Sequence, residues 1–163
     1  GQGPAVRGQS YLVYDGSGDA NNDPIDIAAT GLGGIDLTAD GAFAFALDLL
    51  FADLTGSNAL KILVYTDENN YSELSRVISA AAPPAVRYLF PFASFVQGLG
   101  ATGAADFTNV GAIVLVIDGN SEPALDVQID HFATVVPEPA SLVLMGIGLS
   151  CFGMRRLRSR RQA

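Results

Sequence analysis

The last 27 residues constrain this chain more than any other stretch. They run Pro137-Glu138-Pro139, an apolar segment from Ala140 to Met154, and then Arg155, Arg156, Arg158, Arg160 and Arg161. An apolar run closed at once by a basic cluster has the form of a membrane stop signal. Arginine is costly to move through hydrocarbon and is held on the cytoplasmic side. The expectation is an exported body, residues 1–134, on the far side of a membrane, and a tail, residues 135–163. The tail divides into a rigid Pro-Glu-Pro boundary (137–139), a single C-terminal transmembrane helix (140–154) and a basic cytoplasmic end (155–163). Fifteen residues at ~1.5 Å each give a helix of roughly 22 Å against a hydrocarbon core of ~30 Å. Such a short span suits a temporary anchor better than a lasting one. Five arginines directly after the run argue against a buried core helix.

Charge divides the chain in the same place. The sequence holds 17 acidic and 9 basic residues, and five of the basic ones follow Met154. Residues 1–154 therefore carry 17 acids against 4 bases, a formal charge of −13. A body this acidic is repelled by nucleic acid and by anionic lipid surfaces, so no nucleic-acid partner is expected. The chain opens Gly1-Gln2-Gly3-Pro4, with neither an initiator Met nor a basic stretch leading into an apolar one. An export-type tail calls for an export signal at the front. A fragment or processed form is expected, with its signal and first strands upstream. The sole cysteine, Cys151, sits inside the apolar tail segment, so no disulfide can form within the body.

The body reads as all-β. In Ala42 to Leu47 the large side chains Phe43, Phe45 and Leu47 share one face, and Ala42, Ala44 and Ala46 the other. In Leu125 to Asp130 the apolar Leu125, Val127 and Ile129 alternate with Asp126, Gln128 and Asp130, the pattern of a strand with one wet face. Lys61 to Thr66 and Ala112 to Ile117 are β-branched runs suited to interior strands, and Tyr71 to Ser79 and Val86 to Phe92 add two more. Turn signals such as Asp15-Gly16, Asp40-Gly41, Asp67 to Asn70 and Asp118-Gly119-Asn120 separate them. Ile113 to Ile117 and Leu125 to Ile129 are expected to pair as a terminal hairpin, and Gln97 to Asn109 to form a long loop with a short helical turn. The fold class expected is a jelly-roll-like β-sandwich followed by the single transmembrane helix.

Chemistry is scarce. His131 is the only histidine, and a nucleophilic triad would need Ser, His and an acid to converge on it. With 17 acids any pair can be nominated for glycoside hydrolysis, so no catalytic residue is assigned. The candidate metal site is the loop from Asp15 to Asp26. Asp15, Ser17, Asp19, Asn21, Asp23 and Asp26 place oxygens at loop positions 1, 3, 5, 7, 9 and 12, the spacing of an EF-hand loop. Against calcium stand Ala20 where that loop needs Gly, Asp26 where it needs Glu, and Pro24 near the end. A solvated connection held by Asx turns is the alternative.

The tail resembles the PEP-CTERM sorting domain, also known as the ice-binding protein C-terminal domain. The resemblance rests on Val136-Pro137-Glu138-Pro139, the Gly-containing apolar segment (Gly146, Gly148, Gly153) and the terminal arginines, in order and at the C-terminus. It implies a protein of a Gram-negative bacterium, exported across the inner membrane and handled there by exosortase. A transient membrane anchor and then the cell surface or extracellular matrix follow, with exopolysaccharide and biofilm as the setting. The body is similar to exported galactose-binding or carbohydrate-binding-module-like β-sandwiches through Gly31 to Thr38, Phe92 to Phe95, Phe107 to Ile113 and Leu125 to Asp130.

Three readings follow. The favoured one is a noncatalytic surface or matrix protein sorted by its tail. A glycan-binding module would show an exposed row of tyrosines on one sheet face. An exported enzyme such as a glycosidase would show convergent carboxylates in a deep cleft. The partners expected are exosortase, the membrane through the C-terminal helix, and exopolysaccharide.

Overall fold

A computed structural model describes residues 8–16, 26–53, 58–78, 86–119 and 126–137. They form eight strands: β1 (Gln9–Tyr14), β2 (Ala44–Asp53), β3 (Asn58–Tyr65), β4 (Tyr71–Ile78), β5 (Val86–Pro91), β6 (Val96–Gln97), β7 (Ala112–Asp118) and β8 (Asp126–Val135). A five-stranded sheet has the order β1-β7-β3-β4-β6, and a three-stranded sheet the order β5-β2-β8. Every strand ladder is antiparallel.

The two sheets bury their facing sides against each other. β2 contributes Phe45, Leu47, Leu49 and Ala52, β3 contributes Leu60, Ile62 and Val64, and β7 contributes Ile113 and Leu115. Each of these side chains larger than alanine stabilises the fold by ~1.5–3 kcal/mol on leaving water. One end of this core is closed by aromatic rings. Phe45 meets Phe92 edge-on at 5.1 Å between centroids, and Phe107 lies 4.8 Å from Phe92 and 5.2 Å from Phe95. The edge-to-face pairs Phe45–Phe92 and Phe95–Phe107 use the ring quadrupole as well as the buried area.

The alternation read for β2 holds at Phe45 and Leu47, both buried, but Phe43 precedes the strand and is 43% exposed. The strand also runs on to Asp53. Pairing with β8 skips Asp130 after Asp48↔His131 and skips Leu50 before Phe51↔Gln128. These two bulges reset the parity, so Leu49, Ala52, Val127 and Ile129 all remain on the core side.

Three expectations need correction. The expected transmembrane helix is not part of this fold. Among the described residues no helix is long and apolar enough to cross a membrane, and the helical elements are two single 3-10 turns, Ala39–Gly41 and Phe92–Ser94. The run from 140 to 154 assigned to that helix lies outside the described residues. At ~22 Å it falls short of a bilayer core, and Gly146, Gly148 and Gly153 lower its helix propensity. The expected terminal hairpin also fails. β7 pairs with β1 and β3, whereas β8 pairs with β2 in the other sheet. Each strand therefore finds its partners by apolar complementarity rather than by the shortness of the connection. Finally, 98–109 contains no helical turn; the 3-10 turn stands earlier, at Phe92–Ser94.

Candidate functional site

The outward side of the five-stranded sheet is shaped by its second strand. β7 is buried on both faces, with Leu115 turned to the core and Val114 and Val116 outward at 1% and 7% exposure. The ladders set Tyr11 of β1, Val116 of β7 and Lys61 of β3 in one line across the sheet. Strand neighbours lie ~4.8 Å apart, so two long side chains stand roughly 10 Å apart with a short valine between them. The result is a trough of about 240 Å³ lined by Gln9, Tyr11, Lys61, Leu63, Val116 and Asp118.

Its floor is apolar and its rim polar. The Tyr11 hydroxyl donates to Gln9 Oε1, which ties the two side chains of the outer strand together. Lys61 Nζ donates to Glu73 Oε2 at 3.4 Å, a long single contact. Asp118 is engaged within the fold and half-buried. Further along the same face Tyr65 and Tyr71 stack at 4.9 Å. Burial first, then the neighbouring Tyr71 and Glu73, pushes the Tyr65 hydroxyl pKa up. A Cβ at Gly98 would overlap the Tyr71 ring, whose hydroxyl donates to the Leu99 carbonyl. Tyr65 and Tyr71 are thus a packed pair and Tyr11, at 39%, is the exposed tyrosine of this face, so the exposed row of tyrosines expected of a glycan-binding module does not form.

Between the open edges β1 and β8 lies a smaller slot of about 180 Å³, lined by Tyr14, Leu37, Phe45, Ile113 and Phe132 among others. It is the uncovered mouth of the core, with Phe132 stacked on Phe45 at 5.2 Å.

The candidate calcium loop is described at its two ends. Asp15 is buried, and its Oδ2 accepts the Ala28 amide at 2.9 Å; Asp26 is exposed. Asp15 therefore ties the chain entering the loop to the chain leaving it, and Gly31 is needed there because a Cβ would run into the Asp15 carbonyl. Ser17, Asp19, Asn21 and Asp23 lie outside the described residues. No group of three or more His, Cys, Asp or Glu able to hold a metal occurs among the described residues.

His131 stands on the opposite side of the molecule, exposed, beside Asp48 across the β2–β8 ladder. Asp48 receives Arg87 Nε and a terminal guanidinium nitrogen, each at 2.7 Å. Those hydrogen bonds, with the guanidinium charge and a lesser effect of His131, hold the Asp48 carboxyl below its usual range. Arg87, Asp48 and His131 form a row of charge on a sheet face, not a cleft. The segments Gly31 to Thr38 and Phe107 to Ile113 do meet: Ile35 bridges Val110, and the Leu37 amide donates to the Phe107 carbonyl at 2.9 Å.

Sequence reasoning missed the trough. Its six residues come from three strands distant in sequence, and β1 was not anticipated. The available signal was Lys61, the sole lysine, set at the head of the apolar run Ile62-Leu63-Val64.

β8 ends at Val135, whose carbonyl still accepts the Phe43 amide at 3.0 Å. Pro137 follows, exposed, and Glu138, Pro139 and the arginines from Arg155 to Arg161 lie outside the described residues. The family model of the PEP-CTERM protein-sorting motif matches residues 135–161. That motif indicates an exported protein, sorted by exosortase to the cell envelope or surface of a Gram-negative bacterium. No curated protein and no solved structure matches the chain.

Proposed function

We propose that the chain is a noncatalytic protein of the cell surface or extracellular matrix, delivered there by its C-terminal motif and resident among exopolysaccharide. The observation that carries this reading is the matched motif at 135–161, which begins on the last residue of β8. A compact antiparallel sandwich is thereby joined to an address with no intervening linker. The acidic body, formal charge −12 over residues 1–134, supports the reading, because it stays soluble and resists adsorption to anionic surfaces. The row Arg87–Asp48–His131 also supports a noncatalytic role. Both Asp48 oxygens already accept from the guanidinium of Arg87 on β5, on the side away from His131 of β8, so Asp48 is poorly placed to orient His131 as a base.

The test is localisation in a Gram-negative host with and without exosortase, comparing the full chain with one ending at Val136. The full chain reaches the surface or medium only where exosortase is present, and the shortened chain does not reach it by that route. Equal distribution of both chains in both hosts would overturn the reading.

A further inference from the structure

We infer that the trough on the outer face of the five-stranded sheet binds one neutral pyranose unit of a polysaccharide. The inference deepens the matrix reading by naming a ligand class and a site. A sugar ring presents an apolar C–H face and an equator of hydroxyls, each both donor and acceptor. The trough matches both parts. Leu63 and Val116 supply an apolar floor, and Tyr11 a ring wall at one side. Tyrosine and short aliphatic surface gain from covering C–H groups by the same burial that packs a core.

The rim supplies mixed hydrogen-bonding groups. An ammonium carries three donors, and Glu73 takes one from Lys61. Asp118 is an acceptor, and Gln9 brings an amide carbonyl and N–H groups. Lys61 stands on β3 beside Val116, and Asp118 lies two residues further along β7 between Gln9 and Ala59, so the trough carries one charge of each sign and neither sign of ligand is favoured outright. A uronate would meet Asp118, Glu73 and a body of formal charge −12 before Lys61 could compensate, so the occupant is neutral. About 240 Å³ is below the ~300–1,000 Å³ of drug-sized pockets, room for one ring. The trough is open, as a unit within a longer chain requires.

The purified full chain is run by native affinity electrophoresis through gels containing a neutral glucan, a neutral galactan, a neutral mannan or polygalacturonate. At least one neutral polymer slows migration. Tyr11→Ala and Lys61→Met each weaken that retention about tenfold, the loss expected for one good contact. Lys61→Met keeps the apolar stem on the sheet, so its effect reports the ammonium even if Tyr11→Ala unfolds the outer strand. Arg87→Ala, on the other sheet, leaves retention unchanged. No retention by any neutral polymer, retention by polygalacturonate alone, or undiminished retention in Lys61→Met overturns the proposal. Because the assay uses purified protein, a chain that is sorted but does not bind refutes the trough alone. A chain that binds but is not sorted refutes the address alone.

Discussion

The two outward sheet faces of this molecule treat their charged groups in opposite ways. On the three-stranded sheet, Arg87 and Asp48 meet in a fork of two bonds of 2.7 Å. The fork fixes the two side chains on each other, and the central strand beside them shows the small, buried Ala44 and Ala46. On the five-stranded sheet, Lys61 holds Glu73 by one bond of 3.4 Å, and β7 sets Val116 between the longer Tyr11 and Lys61. The first face ties its charged groups in a two-bond fork. The second holds its cation by one long bond beside a concave trough. The difference teaches that a sheet face becomes a site through the relative lengths of side chains on adjacent strands, not through the number of charges it carries.

The largest effect expected tests the strand that makes the trough. Leu115 and Val116 are neighbours on β7 that face opposite ways. Leu115→Ala opens a cavity between the sheets and costs about 2–5 kcal/mol in urea unfolding. Val116→Ala removes two methyl groups from the outer floor and costs about 1–2 kcal/mol. Equal costs would mean that the outer floor is packed as tightly as the core, and the contrast between faces would fail.

Gly98→Ala comes next. The added methyl would overlap the Tyr71 ring, so the ring must leave its stack on Tyr65 and its hydroxyl must leave the Leu99 carbonyl. Overpacking of this kind costs about 1–3 kcal/mol. A thermal melt together with tyrosine fluorescence measures both parts; an unchanged fluorescence spectrum would contradict the packed pair.

The smallest effects belong to the three-stranded sheet. Arg87→Ala is expected to lower the melting temperature only slightly, since exposed ion pairs contribute little. Its clearer signature is in pH. The carboxyl of Asp48 is held below the ordinary 3.8 by Arg87, that of Asp67 by Asn70 and the Asn69 amide, and that of Asp106 by Thr108. A depressed folded-state value means that the stabilising contribution is present above the unfolded value and is lost as pH falls through the folded one. Melting temperatures should therefore stay level from neutral pH down to about 4 and fall below it. Arg87→Ala should make the acid fall shallower by removing Asp48's share. An acid profile identical to that of the unaltered chain would show that the fork adds nothing.

Much of this architecture could be read from the residues. The β-branched run Ala112 to Ile117 emerged as β7, and the Asp67 to Asn70 signal as the β3–β4 turn, where Asp67 Oδ1 accepts the Asn69 and Asn70 amides at 2.8 and 2.9 Å. What escaped was pairing. The nearness of Asp118 to Asp126 suggested a hairpin, yet apolar faces on both strands sent them to different sheets. β1 escaped because Gln9 to Tyr14 lies half exposed at an edge and alternates weakly. The trough was hidden for the same reason: Tyr11 and Lys61 become neighbours only once β7 lies between them. The sorting motif was legible in full, because its meaning lies in order and spacing along the chain and needs no partner strand.

The central claim, that the motif directs this sandwich through exosortase, is tested most directly by the intact mass of the chain recovered from hosts with and without that enzyme. The account predicts a surface or released form lacking the segment beyond the Pro137-Glu138-Pro139 boundary in the first host and the unshortened tail in the second. The same unshortened mass from both hosts would contradict it.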